Sequence, residues 1–159
     1  WGVAVQEMIK PGRETIIGVT FDPQFGHLIM FGLGGIYVEV LKDVSFRLAP
    51  LTAGEARSMV REIKSYPLLA GVRGQQPADV EAVVEALLRL SQMVTDFPEI
   101  VELDVNPLVV NDMGGGAVAL DARIILGQEN GLVAQTTKEK TTAARVGSSG
   151  EPSGTVTSR

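Results

Sequence analysis

The chain has 159 residues, 45% of them hydrophobic, enough for one domain with a sizeable core. Its 14 basic and 19 acidic side chains leave a net charge of −5, which argues against a nucleic-acid or anionic-membrane partner. There is no cysteine, which excludes disulfides, thiolate catalysis and Cys-ligated metals. No apolar run approaches the roughly 18 residues of a membrane span and nothing resembles a signal peptide, so a cytoplasmic chain is expected. It starts at Trp1 and goes straight into the strand-like run Val3-Ala4-Val5, which reads as a chain cut from something longer.

In chain order, Gly2 to Ile9 reads as a strand, and Lys10-Pro11-Gly12-Arg13 as a turn, with Pro before Gly. Glu14 to Phe21 is a second strand, so the two should form a hairpin. Asp22-Pro23-Gln24-Phe25-Gly26 is another turn, and Leu28-Ile29-Met30-Phe31 a third, buried strand. After Gly32-Leu33-Gly34-Gly35 come Tyr37-Val38-Glu39-Val40 and Ser45-Phe46-Arg47-Leu48, again strand-like. Four or five short strands at close spacing imply an antiparallel sheet. Helical signals begin at Thr52-Ala53-Gly54-Glu55, a capping-box pattern. Ala56, Met59, Val60 and Ile63 mark the helix's apolar face, and Tyr66-Pro67 should end it. Leu68 to Pro77 is a Gly/Gln-rich loop. Asp79 caps a longer helix with Val80, Val83, Val84, Leu87, Leu90 and Val94 at helical spacing, and Phe97-Pro98 stops it. From Gly127 on, Thr, Ser, Gly, Glu and Lys dominate, so the last 30 or so residues are expected to be mostly disordered. The expected fold is thus α+β: an antiparallel sheet with two helices over 1–126, followed by a tail over 127–159.

The most informative stretch is Glu102 to Val110 with its answering run Ala117 to Ile125. Both alternate between apolar and other residues, the period of a strand with one face in a core. Between them lies Asn111-Asp112-Met113-Gly114-Gly115-Gly116, rich in residues that tolerate positive φ. A hairpin closed by Val110 and Ala117 makes paired residue numbers sum to 227. Asn106 then faces Asp121, and Asp104 faces Arg123. Leu103, Val105 and Val109 would share the core face with Val118, Leu120, Ala122 and Ile124. The other face would carry Glu102, Asp104, Asn106, Asp121 and Arg123. A one-residue slip would bury that polar set, so burial selects this register or one two residues away. Acids and an amide converging across a hairpin suit a hard cation such as Mg²⁺. The plain alternative is a solvated outer face. Against it stands Pro107 within a strand, since proline removes a ladder donor and is normally kept to edges or bulges.

Other motifs have equally ordinary readings. Gly32-Leu33-Gly34-Gly35 looks like a phosphate-cradling loop, yet it lacks the Lys-Ser/Thr of a P-loop and is expected to open no helix; a tight turn between strands explains it as well. Arg47 lies between Phe46 and Leu48, so alternation points it away from the core, where it would meet an anion or simply be solvated. His27, the only histidine, has no acid or serine at a telling spacing and reads as a surface residue. Arg57, Arg61, Glu62 and Lys64 read as a solvated helix face.

Taken together, Val5-Gln6-Glu7-Met8, Pro11-Gly12-Arg13-Glu14, Asp22 to Gly26, Gly32 to Val40, Phe46-Arg47-Leu48, Glu102 to Leu108 and Leu120-Asp121-Ala122-Arg123 resemble one family, in order, from about Trp1 to Leu126. The chain resembles the C-terminal lobe of the ATP-grasp domain of ADP-forming acyl-CoA (acetate–CoA) synthetases, relatives of the succinyl-CoA synthetase β subunit. The resemblance implies the reaction acid + CoA + ATP ⇌ acyl-CoA + ADP + phosphate, through an acyl phosphate and a phosphohistidine. It assigns Mg²⁺ coordination to Asn106 and Asp121, in agreement with the hairpin register, with Asp104 and Arg123 as neighbours facing metal or phosphate. It makes Gln6, Glu7 and Met8 part of a hinge whose backbone reads the adenine edge of ATP or ADP. Glu14 would hold the ribose hydroxyls. Arg47, in a catalytic role, and the loop with Gly34 and Gly35 would lie near the phosphate and acyl-phosphate path.

The resemblance covers one of the two lobes between which an ATP-grasp fold clamps its nucleotide. The first lobe, with its phosphate-binding lysine, and the CoA-binding and ligase-like domains have no counterpart in this sequence, so they are the partners it implies, with CoA and a small organic acid as substrates. His27 is not the family's relay histidine, because its motif context differs. The chain should therefore be a nucleotide/Mg²⁺ half-site, inactive alone. Two rival readings are the ATP-grasp-like regulatory part of a protein acyltransferase fusion and a non-catalytic interaction module whose exposed apolar sheet face pairs with a partner lobe.

Overall fold

The computed structural model describes residues 2, 3, 5, 8, 9, 11–72 and 74–127. In chain order the elements are β1 (Arg13–Asp22), β2 (Gly26–Leu33), α1 (Ile36–Glu39), β3 (Val44–Leu48), α2 (Ala53–Glu62), α3 (Tyr66–Ala70), α4 (Val80–Asp96), β4 (Ile100–Val110), β5 (Ala117–Ala119) and β6 (Ala122–Leu126). The six strands form one antiparallel sheet in the order β3-β2-β1-β4, with β5 and β6 both pairing on the free side of β4. The α+β class and the antiparallel sheet match the expectation from sequence, and α2 and α4 are its two helices. The tail expected over 127–159 lies outside the described residues from 128 onward.

Three local readings need correction. None of the described residues between Gly2 and Ile9 belongs to a strand, and Val3 and Val5 are 93% exposed. The first hairpin is β1–β2, closed by the turn after Asp22, whose carboxylate accepts the N–H groups of Gln24 and Phe25. The segment around Tyr37 is a one-turn helix rather than a strand: Gly35 takes φ = 62°, and its carbonyl accepts the N–H groups of Val38 and Glu39. The glycine loop thus does open a helix, though a single turn. Tyr66-Pro67 starts α3 instead of ending α2, because a proline in the first helical turn loses no helical hydrogen bond.

The long helices form for the reasons their sequences suggest. Thr52 and Glu55 make a reciprocal capping box at α2, and the Asp79 side chain caps α4 through the Ala82 N–H. Both helices lay their apolar stripes on one face of the sheet. Met59, Val60, Val83, Leu87 and Val94 are fully buried there against Ile17, Val19, Ile29 and Phe31. At about 1.5–3 kcal/mol for each large side chain taken out of water, this layer holds the fold together.

The cross-strand partners of these residues define the two sheet faces. Ile17 pairs with Phe31 and Val19 with Ile29 on the helix-covered face. Gly18 pairs with Met30 and with Asp104, and Met30 with Phe46, on the face opposite α2 and α4. That open face keeps Phe46 at 44% and Leu48 at 46% exposure.

The ladder between β1 and β4 slips by one residue between Thr15 and Ile17, opposite Asn106-Pro107. Pro107 offers no N–H to the ladder, so the strand bulges there. The Thr15 hydroxyl, fully buried, donates to the Leu108 carbonyl across the bulge. The extra residue reverses the alternation: Leu103 belongs to the core cluster before it, Leu108 and Val110 after it. Val109, expected on the core face, instead pairs with Glu14 on the open one. Val118, Leu120, Ala122 and Ile124 are exposed rather than in the core. Beyond β4, β6 is exposed along its whole length and packs chiefly on β4.

Candidate functional site

The hairpin register is the one the sequence implies. Val110 pairs with Ala117, Leu108 with Ala119, Val105 with Ala122 and Asp104 with Arg123. Between the two ladders the Asn106 N–H donates to the Asp121 carbonyl at 3.1 Å, and Leu120 N–H to the Pro107 carbonyl at 3.0 Å. Asn106 and Asp121 are therefore held face to face at the bulge, both exposed. A bulge beside a site is a common way to re-aim side chains.

Next to them on the open face lie Glu102, Asp104 and Arg123. Arg123 is directly opposite Asp104 but forms its ion pair diagonally, with Glu102. Asp104 is left without a hydrogen-bonding cation. Burial pushes its carboxyl above the ordinary carboxylate range; Arg123 opposes that shift, and the charges of Glu102 and Asp121 add to it. Three carboxylates thus share one guanidinium, an arrangement that favours an added cation. Among the described residues no three acidic or histidine side chains converge closely enough to hold a metal by themselves. Hard oxygen donors from one amide and two acids, completed by phosphate oxygens and water, still fit Mg²⁺, which keeps such mixed shells.

A shallow cleft of about 220 Å³ adjoins this cluster, with Gly18, Met30 and Phe46 as its floor and Glu102 and Asp104 on its rim. Further along the open face, Glu14 pairs with Val109. The Gly34 N–H donates to the Glu14 carbonyl at 2.8 Å. A Cβ on Gly34 would stand 3.2 Å from that of Glu14, so the close approach calls for glycine. Glu14 and Gly34, distant in sequence, are thereby brought together, with Gly35 next in the turn.

Arg47 is not brought to this group. It pairs with the buried Ile29, so it lies on the helix-covered side of the sheet, where its guanidinium bonds the Glu62 carboxylate at 2.5 Å and the Phe46 carbonyl at 2.7 Å. Alternation gives Arg47 the wrong face because Phe46 and Leu48, its apolar flanks, belong to the open face. Of the hinge run, Gln6 and Glu7 lie outside the described residues, and Met8 is 91% exposed and in no regular element. His27 bonds the Ile100 carbonyl through Nε2 at 2.7 Å and packs edge-on against Phe21, a structural role.

Two contacts have no sequence signature. Glu102 falls on the expected polar face, but its diagonal reach to Arg123 cannot be read from alternation. Arg13 bonds Asp112 of the glycine-rich hairpin loop at 2.5 Å and also the Gln76 carbonyl. These partners, 99 and 63 residues away, tie the entrance of β1 to two loops.

Comparison with known proteins bears on the family and the fold. An ATP-grasp domain family model matches residues 1–126. The β subunit of acetate–CoA ligase [ADP-forming] II from Pyrococcus furiosus is 60% identical over 127 residues, covering 79% of this chain and 54% of that protein. A crystal structure from Pyrococcus horikoshii superposes with a TM-score of 0.73 at 58% identity, covering 77% of this chain and 52% of that one. The dinucleotide-forming acetyl-coenzyme A synthetase 1 of Ca. Korarchaeum cryptofilum, solved with coenzyme A and Mg-AMPPCP, superposes at 0.72 with 50% identity, over 76% of this chain and 56% of that one. The chain spans about half the length of these relatives. Among the described residues no helix is long and apolar enough to cross a membrane. The α+β sheet, the hairpin carrying Asn106 and Asp121, and the family match together establish that the chain belongs to the ATP-grasp family.

Proposed function

We propose that the chain supplies the nucleotide- and Mg²⁺-binding half-site of an ADP-forming acyl-CoA synthetase, the enzyme that couples acid + CoA + ATP to acyl-CoA + ADP + phosphate. The observation that carries this is the apposition of Asn106 and Asp121 at the bulge, beside an Asp104 whose burial and acidic neighbours hold its carboxyl above the ordinary range. Asn106 and Asp121, with Asp104 alongside, would hold Mg²⁺. When bound, the ion would neutralise polyphosphate charge and fix the transferring group in line. Arg123 would meet a phosphate, Glu14 the ribose, and the run from Gln6 to Met8 the adenine edge. The partners that complete the site are a first ATP-grasp lobe on the open face and CoA-binding and ligase domains. A cytoplasmic setting goes with that reading, and the half-site alone should not turn over.

Titration of Mg·ATP into the intact enzyme tests it. Asn106→Ala and Asp121→Ala should each weaken binding by about tenfold or more with the melting temperature near that of wild type. Equal affinity in wild type and the double variant overturns the reading. The exposure of Phe46 and Leu48 on the open face favours one second reading, an interaction module that binds a partner lobe without nucleotide; unchanged Mg·ATP binding with intact lobe association would support it.

A further inference from the structure

Glu102 has no place in the binding scheme so far, yet among the described residues it takes the one cation of the acidic cluster. Arg123 stands directly across the ladder from Asp104. A guanidinium there would be expected to pair straight across, and instead it bonds the Glu102 carboxylate diagonally. Both members are exposed, Arg123 at 64% and Glu102 at 43% of their side chains. An exposed pair of this kind contributes at most about 1 kcal/mol, so it is easily exchanged. Arg–phosphate contacts are charge-assisted and often bidentate, and they outcompete it. Glu102 also rims the cleft floored by Gly18, Met30 and Phe46, on the same face as Asp104.

We propose that Glu102 is a positioning residue: it holds the Arg123 guanidinium until nucleotide binds and then hands it to a phosphate. This rests on the reading of the open face as a Mg-nucleotide site. By pairing with Arg123, Glu102 keeps the guanidinium off Asp104, so that the acid side of the cluster stays open to a cation. On binding, the guanidinium rotates from the carboxylate to a phosphate oxygen, and Glu102 returns to water. The exchange lowers nucleotide affinity, because the Glu102–Arg123 pair must break each time, and it favours release.

Equilibrium binding of Mg·ATP or Mg·ADP to the intact enzyme reads this directly in a double-variant cycle of Glu102→Gln and Arg123→Gln. Both side chains are exposed, so each variant should melt with wild type. Glu102→Gln should tighten binding by about two- to fivefold, the factor that an exposed pair converts to. In the Arg123→Gln background the same substitution should change nothing. Equal tightening in both backgrounds would mean that Glu102 acts only through its charge on the phosphates, and overturns the handover. So does weaker or unchanged binding in Glu102→Gln with Arg123 present. The underlying reading fails separately, if Asn106→Ala and Asp121→Ala leave binding intact.

Discussion

On the helix-covered face of the sheet, Ile29 and Phe31 have no exposure at all, and Ile17 and Val19 have 3% and 4%. On the other face of the same strands, Phe46 and Leu48 keep nearly half of theirs, and charged groups collect at Glu102, Asp104 and Arg123. Both faces are apolar at their centre, so composition does not separate them. What differs is that one is filled by α2 and α4 and the other keeps a cleft of about 220 Å³. Stability is concentrated on the first face and the proposed ligand chemistry falls on the second, a division that mutations can break.

The largest effect should fall on the filled face. Leu87→Ala, at a fully buried position of α4, should destabilise by about 2–5 kcal/mol in denaturant unfolding, the transfer loss plus the cavity. Phe46→Ala removes a larger side chain from the open face and should cost less than about 1 kcal/mol. Comparable costs for the two would mean that the faces are not divided as described. Next comes Thr15→Val, which preserves shape but orphans the Leu108 carbonyl at the bulge. It should cost about 1–3 kcal/mol, and Mg·ATP affinity should fall with it if the bulge sets the Asn106–Asp121 apposition.

The two arginines give a sharper test. Arg47 and Arg123 were both candidates for the phosphate path, and the structure puts them on opposite faces. Arg47→Ala loses a partly exposed pair with Glu62, whose side chains are 31% and 53% exposed, and should cost about 0–1 kcal/mol without changing Mg·ATP affinity. Arg123→Ala should do the reverse, with little effect on stability and weaker nucleotide binding. An affinity loss in Arg47→Ala of the size seen for Arg123→Ala would sink the assignment of the site to the open face.

The sequence reveals the hairpin register because burial penalises a one-residue slip, and the pairs from Glu102–Ile125 to Val110–Ala117 keep the sum that the closure sets, until the ladder slips by one residue at Ile100–Leu126. It reveals α2 and α4 because caps and 3.6-residue periodicity agree. It does not reveal which face Val109 or Arg47 takes, for two physical reasons. A bulge adds a residue that alternation cannot count, so every assignment beyond Asn106-Pro107 reverses. A sheet with both faces apolar offers no contrast to orient β3, where Phe46 and Leu48 look like core while Arg47 stands over Ile29. The Glu102–Arg123 diagonal and the bond from Arg13 to Asp112 depend on side-chain reach between distant segments, for which one sequence holds no sign. Val3 and Val5 show the opposite error, since alternation without a pairing partner makes no strand.

The smallest expected effect lies at the start of α2, where the helix layer is held at its edge. The Thr52 N–H and hydroxyl both donate to Glu55, and the Glu55 N–H donates to the Thr52 hydroxyl. Thr52→Ala should cost about 1 kcal/mol, well below Leu87→Ala. The same box adds a pH dependence. The backbone N–H of Thr52, and then its hydroxyl, hold the Glu55 carboxyl below the ordinary value of 4.5. A carboxylate depressed in the folded state stabilises fully above its unfolded pKa, and loses that contribution as pH falls through the folded one. Glu55→Gln keeps an acceptor but cannot titrate. The stability advantage of wild type over Glu55→Gln should therefore be constant at neutral pH and shrink as pH drops below 4.5, while Mg·ATP affinity at neutral pH is the same in both. An advantage that grows on acidification would mean that the Thr52 donors do not hold the charged form of Glu55, and that the box contributes only shape.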